Sequence, residues 1–98
     1  MALVYLDRRL NPIDRSVWRD RFLDRRYRVV KETGDKKDRY IRTVWVGVFL
    51  TDRELKARPF YVEVCQGGDR HKLLTDQWCE DEESALRLHK AWAGEFLG

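Results

Sequence analysis

RYIRTVWVGVFL, residues 39–50, is the stretch that decides the fold. Tyr40, Ile41, Val44, Trp45, Val46, Val48 and Phe49 are β-branched or aromatic, the types that pack well on a pleated, half-buried surface. Polar side chains break the run only near its start, at Arg42 and Thr43. Residues 44–50 are almost continuously apolar, which predicts a strand covered on both faces at the centre of a small sheet. Gly47 inside it marks a bulge or the close approach of another backbone.

On the N-terminal side, residues 26–33 (RYRVVKET) alternate as a strand, with Tyr27 and Val29 on one face and Arg28, Val30 and Glu32 on the other. The polar loop 34–38 between the two runs predicts an antiparallel hairpin. Further back, residues 3–6 (LVYL) read as a short edge strand, and Asn11-Pro12 as a turn. A helix follows, with Asp14 as N-cap or, alternatively, Asn11 as cap with Pro12 at the first helical position. Its narrow apolar stripe is Val17, Trp18, Arg21 and Phe22, and it stops near Asp24.

On the C-terminal side, residues 51–59 form a charged connection and residues 60–65 alternate cleanly. Phe60, Val62 and Val64 share one face; Tyr61, Glu63 and Cys65 share the other. Residues 66–69 are a turn and residues 73–79 a last short strand. The acids at 80–83 then meet the positive end of a final helix, whose buried stripe is Ala85, Leu86, His89, Trp92, Ala93 and Phe96. The expected fold is α+β: a single antiparallel sheet of about four to five strands, with one helix near the N-terminus and a C-terminal helix packed on it.

Ninety-eight residues make one domain, 1–98. The four Trp and 43% hydrophobic content support a folded globule. The longest apolar run falls far short of the roughly 20 residues that span a bilayer, and the N-terminal apolar stretch is too short for a signal peptide. A cytoplasmic location with reduced thiols at Cys65 and Cys79 is therefore expected.

The net charge of +3 hides an asymmetry: residues 1–42 carry 13 Lys/Arg against 7 Asp/Glu, and residues 43–98 carry 7 against 10. Fourteen of the twenty cations are Arg, which suits bidentate pairing with phosphate or carboxylate. Interleaved acids make most of this region a solvated surface with local ion pairs, with an anion-binding patch as the sharper alternative.

Chemistry-bearing clusters are sparse. Cys65, His71, Cys79 and His89 lack the tight ligand pairs of structural zinc, so no metal and no cofactor are expected. Cys65 with His71 can be drawn as a dyad, but nothing in the spacing supports it, and the chain is not expected to be an enzyme. His89 sits on the apolar stripe of the last helix, where a buried, hydrogen-bonded imidazole and a ligand contact are both open. Residues 66–72 (QGGDRHK) suit a glycine turn, with anion binding by Arg70, His71 and Lys72 as the alternative. The candidate ligand or partner contacts are Arg42, Trp45, Arg70, His71, Trp78 and His89. Arg19, Arg25, Arg26 and Arg28, set among Trp18, Phe22 and Tyr27, form the alternative, a nucleic-acid surface.

Asn11-Pro12-Ile13, Trp18, Thr43-Val44-Trp45-Val46-Gly47, the aromatic strand at 60–64 and Glu82-Glu83-Ser84-Ala85-Leu86-Arg87-Leu88-His89 stand in the order of a family of small phage- and prophage-encoded proteins, which the chain resembles over most of its length. After Gly47 it departs from that pattern, with Val48-Phe49-Leu50 and a charged loop in place of a more polar, Gly-rich stretch. The resemblance implies no established activity. It implies a setting, that of an accessory or counter-defence inhibitor that binds a host protein or sequesters a nucleotide-like anion. An exposed sheet edge would also admit a homodimer.

Overall fold

The computed structural model describes residues 3–50 and 58–98, apart from the side chains of Leu50 and Arg70. Most of the charged connection expected at 51–59 thus lies outside the described residues. Among the described residues the chain is α+β, with three α-helices and two antiparallel sheets. The larger sheet is a four-stranded meander of β2 (Val29–Gly34), β3 (Arg39–Trp45), β5 (Phe60–Gln66) and β6 (Lys72–Cys79), in that order. The smaller pairs β1 (Leu3–Tyr5) with β4 (Val48–Leu50). The helices are α1 (Arg15–Leu23), α2 (Arg25–Arg28) and α3 (Glu82–Trp92), with a wider π-type turn over Ala93–Leu97 after the last.

The period of two in β3 and β5 sorts their residues into two faces. Ile41, Thr43, Trp45, Phe60, Val62 and Val64 are all fully buried, and α3 covers them with Ala85 and His89. Burying this face removes apolar surface from water at roughly 25 cal/mol per Å², which favours folding. Asp81 caps α3 by accepting the Ser84 N–H at 2.7 Å, and Glu82 and Glu83 face the positive end of its dipole, as the acid run predicts.

Two expectations need correction. The single sheet is two sheets, because the run at 39–50 is broken in the middle. Gly47 has φ 70°, and a side chain there would collide with the Trp45 ring and the Leu6 carbonyl. The N–H groups of Val46 and Gly47 both donate to the Pro59 carbonyl, at 2.7 and 3.1 Å, so the chain turns out of the meander and pairs β4 with β1 instead. Residues 25–28 are a helical turn and not the start of a strand. Asp24 accepts the Arg26 N–H on its side chain and the Tyr27 and Arg28 N–H groups on its carbonyl, and this local cap outweighs the alternation. Tyr27 therefore never joins the sheet; it meets Trp45 edge-on, ring centroids 4.9 Å apart. The β2–β3 hairpin itself forms as expected.

The smaller sheet and α1 close the Trp45 end of the meander. Trp18 donates its indole N–H to the Val46 carbonyl at 2.7 Å and stacks on Phe22, centroids 5.0 Å apart. Asp14 is the N-cap residue of α1, without a side-chain cap bond.

Candidate functional site

Among the described residues, no helix crosses the middle of the meander's second face, although Tyr40 and Cys65 at its far end are buried. Register places Tyr40, Arg42 and Val44 of β3 beside Tyr61, Glu63 and Cys65 of β5, then Trp78, Asp76 and Leu73 of β6, with Glu32 of β2 on the other flank. Trp78 and Leu73 are each 45% exposed, although both are large and apolar. Tyr61 and Trp78 pair directly across the strands, ring centroids 4.8 Å apart at 46°. A bulge between Val64 and Cys65 opposite β6 brings Leu73 to this face and lets Leu74 pack against the core.

The charges on this face are matched internally. Arg42 donates from Nε to Glu63 Oε1 at 2.9 Å. Burial works to lower the Arg42 pKa, but the hydrogen bond and charge of Glu63 outweigh it and hold the guanidinium above its ordinary value. Tyr61 donates to Asp76, and burial followed by that hydrogen bond pushes its phenol well up. Glu32 is bound by Arg25 and by Lys36, which outweigh the effect of burial and lower its carboxyl. At the far end, Tyr40 Oη and His71 Nε2 are 2.8 Å apart, which ties the exposed His71 to this face.

Of the six contacts expected from sequence, Arg42, Trp78 and His71 gather on or beside the open face. Trp45 is wholly enclosed and donates its indole N–H to the Leu6 carbonyl at 2.9 Å, so its ring serves the core. His89, on α3, is 1% exposed against the opposite face of the sheet, with both ring nitrogens held by threonine hydroxyls. The Arg70 side chain lies outside the described residues. Cys65 and Cys79 are buried free thiols, and among the described residues no three His, Cys, Asp or Glu side chains come together as a metal set.

The four arginines of the alternative surface scatter. Arg19 and Arg26 are exposed, and Arg25 binds Glu32. Arg28 donates to the Phe22 carbonyl at 3.0 Å and lies over the Phe22 ring. It then borders a groove of about 290 Å³ with Val44, Arg42 and Tyr61, at the edge of the open face. The residues that sequence reasoning missed are Tyr40, Tyr61 and Leu73. Strand alternation already sets Tyr61 beside Glu63 and Cys65, but nothing local says which face of the sheet α3 will cover.

Comparison with protein-family models, with curated proteins and with solved structures returns no match to this chain.

Proposed function

We propose that this chain is a non-enzymatic binding protein that docks on a partner protein through the open face of its four-stranded sheet. The exposure of Trp78 and Leu73 beside Tyr61 carries this reading. Trp, Tyr and Arg are the types that concentrate binding energy at interfaces, and here they surround an ion pair whose groups already satisfy one another. Covering the face therefore orphans no charge, the usual obstacle to burying one. The setting implied by the resemblance belongs to this proposal: a phage-type accessory, or counter-defence inhibitor, acting on a host protein in the cytoplasm. The outer edge of β6, which has no neighbouring strand among the described residues, would admit a homodimer. A nucleotide-like anion would be held elsewhere, because Arg42 is already bound to Glu63.

The test is affinity capture from host extract with the intact chain, followed by measurement of affinity for the captured protein. Trp78→Ala and Leu73→Glu should each weaken binding by about tenfold or more, and Arg19→Ala should leave it unchanged. A partner held equally by all three variants would end this reading.

A second reading, a single-strand nucleic-acid surface, is favoured by one observation: Arg28 borders the same groove as Tyr61. Affinity for short oligonucleotides should then fall steeply with salt and drop with Arg28→Gln. A flat salt response rules it out.

A further inference from the structure

A cleft of about 510 Å³ opens beside the turn that follows β1, with α1, α2 and the first turn of α3 around it. It is lined by three arginines, Arg8, Arg9 and Arg21, together with Tyr27. Its two acids are already engaged. The Asp7 carboxylate accepts the backbone N–H groups of Arg9 and Asn11, at 2.9 and 2.8 Å, and Glu82 accepts from the Arg8 guanidinium. Arg8 is thereby neutralised, and its Nη1 donates to the Tyr27 carbonyl at 3.3 Å. Among the described residues, neither Arg9 nor Arg21 has a carboxylate within 4.0 Å.

Tyr27 is a second, independent feature. Its Oη accepts the Arg8 backbone N–H at 2.8 Å and Arg21 Nη1 at 3.2 Å, which occupies its lone pairs. Among the described residues nothing accepts the hydroxyl hydrogen, so the phenol is left as a donor at the wall of the cleft. The turn that carries Arg9 is also held in a costly shape. Leu10 has φ 68°, a region that non-glycine residues seldom occupy, and it is 40% exposed. The Asp7 N–H donates to the Asn11 carbonyl at 2.9 Å and the Leu10 N–H to the Asp7 carbonyl at 3.1 Å, locking that shape.

We propose that this cleft binds the phosphate group of a small phosphomonoester. Donors reach it from three elements: the turn (Arg9), α1 (Arg21, with Nη1 held by Tyr27 Oη and its other N–H groups open) and α2 (the Tyr27 hydroxyl). A phosphomonoester offers three terminal oxygens to such a set and a carboxylate only two, while guanidinium forks pair with phosphate oxygens two at a time. The Tyr27 ring offers no stacking surface to a nucleobase. The Arg8 and Arg21 guanidiniums lie over it at 5.6 and 5.1 Å, and it meets Trp45 edge-on. Recognition is therefore of the phosphate, with the rest of the cleft taking the organic part. None of this depends on the sheet face, with which the cleft shares no residue.

The test is titration of the intact chain at low ionic strength with ribose 5-phosphate, adenosine monophosphate, inorganic phosphate and acetate, read from backbone amide and Arg side-chain NMR signals. Saturable shifts are expected at residues 8–11, 21 and 27, with the two esters within about threefold of each other and acetate at least about tenfold weaker. Arg9→Gln and Tyr27→Phe should each weaken the esters by about tenfold, and Arg87→Gln should not. Arg9 is exposed, and Tyr27→Phe keeps the ring while giving up the Oη contacts to the Arg8 N–H and Arg21; melting curves check that both variants stay folded. Inorganic phosphate as tight as the esters would identify free phosphate as the source, with the same losses in the variants. Absence of saturation, acetate equal to the esters, adenosine monophosphate about tenfold tighter than ribose 5-phosphate, or both variants binding like the parent chain would overturn the assignment.

Discussion

His89 Nδ1 lies 2.7 Å from Thr43 Oγ1, joining α3 to the middle of β3 with both side chains fully enclosed. Its Nε2 lies 2.8 Å from Thr33 Oγ1 on β2, so one imidazole ties the helix to two strands. A neutral ring offers one donor and one acceptor, and a hydroxyl can answer either. Burial, and then the charge of Lys31, lowers the His89 pKa below its ordinary 6.5.

Because the unfolded chain takes up this proton more readily, the stability linked to His89 is complete above about pH 6.5 and is lost as pH falls from there toward the lowered value. Urea denaturation across pH 8 to 5 should show a plateau and then this decline. His89→Gln should remove the slope in that window. Acid loss at lower pH should persist, since the Glu32 and Asp81 carboxyls are held below their ordinary 4.5 and 3.8 and release their contribution only there. An unchanged slope in His89→Gln would contradict the assignment.

Gly47→Ala should destabilise the chain by about 2–4 kcal/mol, from the left-handed backbone and the overlap with the Trp45 ring together. Trp45 fluorescence should report the same event, because its indole N–H bond to Leu6 depends on that close approach. A loss under about 0.5 kcal/mol in denaturant titration would show that the turn tolerates a side chain.

Asp76→Asn should bring the Tyr61 phenol down toward its ordinary 10.0, since the Asp76 hydrogen bond and charge add to the effect of burial in raising it. Ultraviolet absorbance titration of the two chains measures this directly. Tyr61→Phe identifies the signal, and coincident curves for Asp76→Asn and the parent chain would disprove the link.

Cys65 and Cys79 should alkylate slowly in the folded chain. Burial raises both thiols above their ordinary 9.0, and the Tyr40 hydrogen bond offsets this only partly at Cys65. Labelling with iodoacetamide near neutral pH should be about a hundredfold slower than in denaturant, and both thiols should label together on unfolding. Rapid native labelling of either one would show that its strand opens.

Much of this fold was legible in the letters. Alternation at Phe60, Val62 and Val64 assigns the buried face of β5, and the acids before Ala85 and His89 place the start and inner stripe of α3, because these signals depend only on a residue's own periodicity and charge. The same is true of the β2–β3 hairpin around its polar loop. The site was legible only in part. Arg42 and Trp78 stand out in the sequence as a cation and an aromatic on strands, and both lie on the open face. Trp45 stands out in the same way but faces the core.

Tertiary structure alone decided the rest. Gly47 permits either a bulge or a reversal, and the contact of Trp45 with Leu6 and the bonds to the Pro59 carbonyl choose reversal, so one expected strand becomes β3 and β4 in different sheets. Residues 25–28 suit strand or helix, and the Asp24 cap with the Tyr27–Trp45 contact chooses helix. Which face of the meander stays open depends on where α3 lands, and which arginines are free depends on which acids fold against them. Those are pairings between residues far apart in sequence, so no local periodicity encodes them; only burial and close packing do.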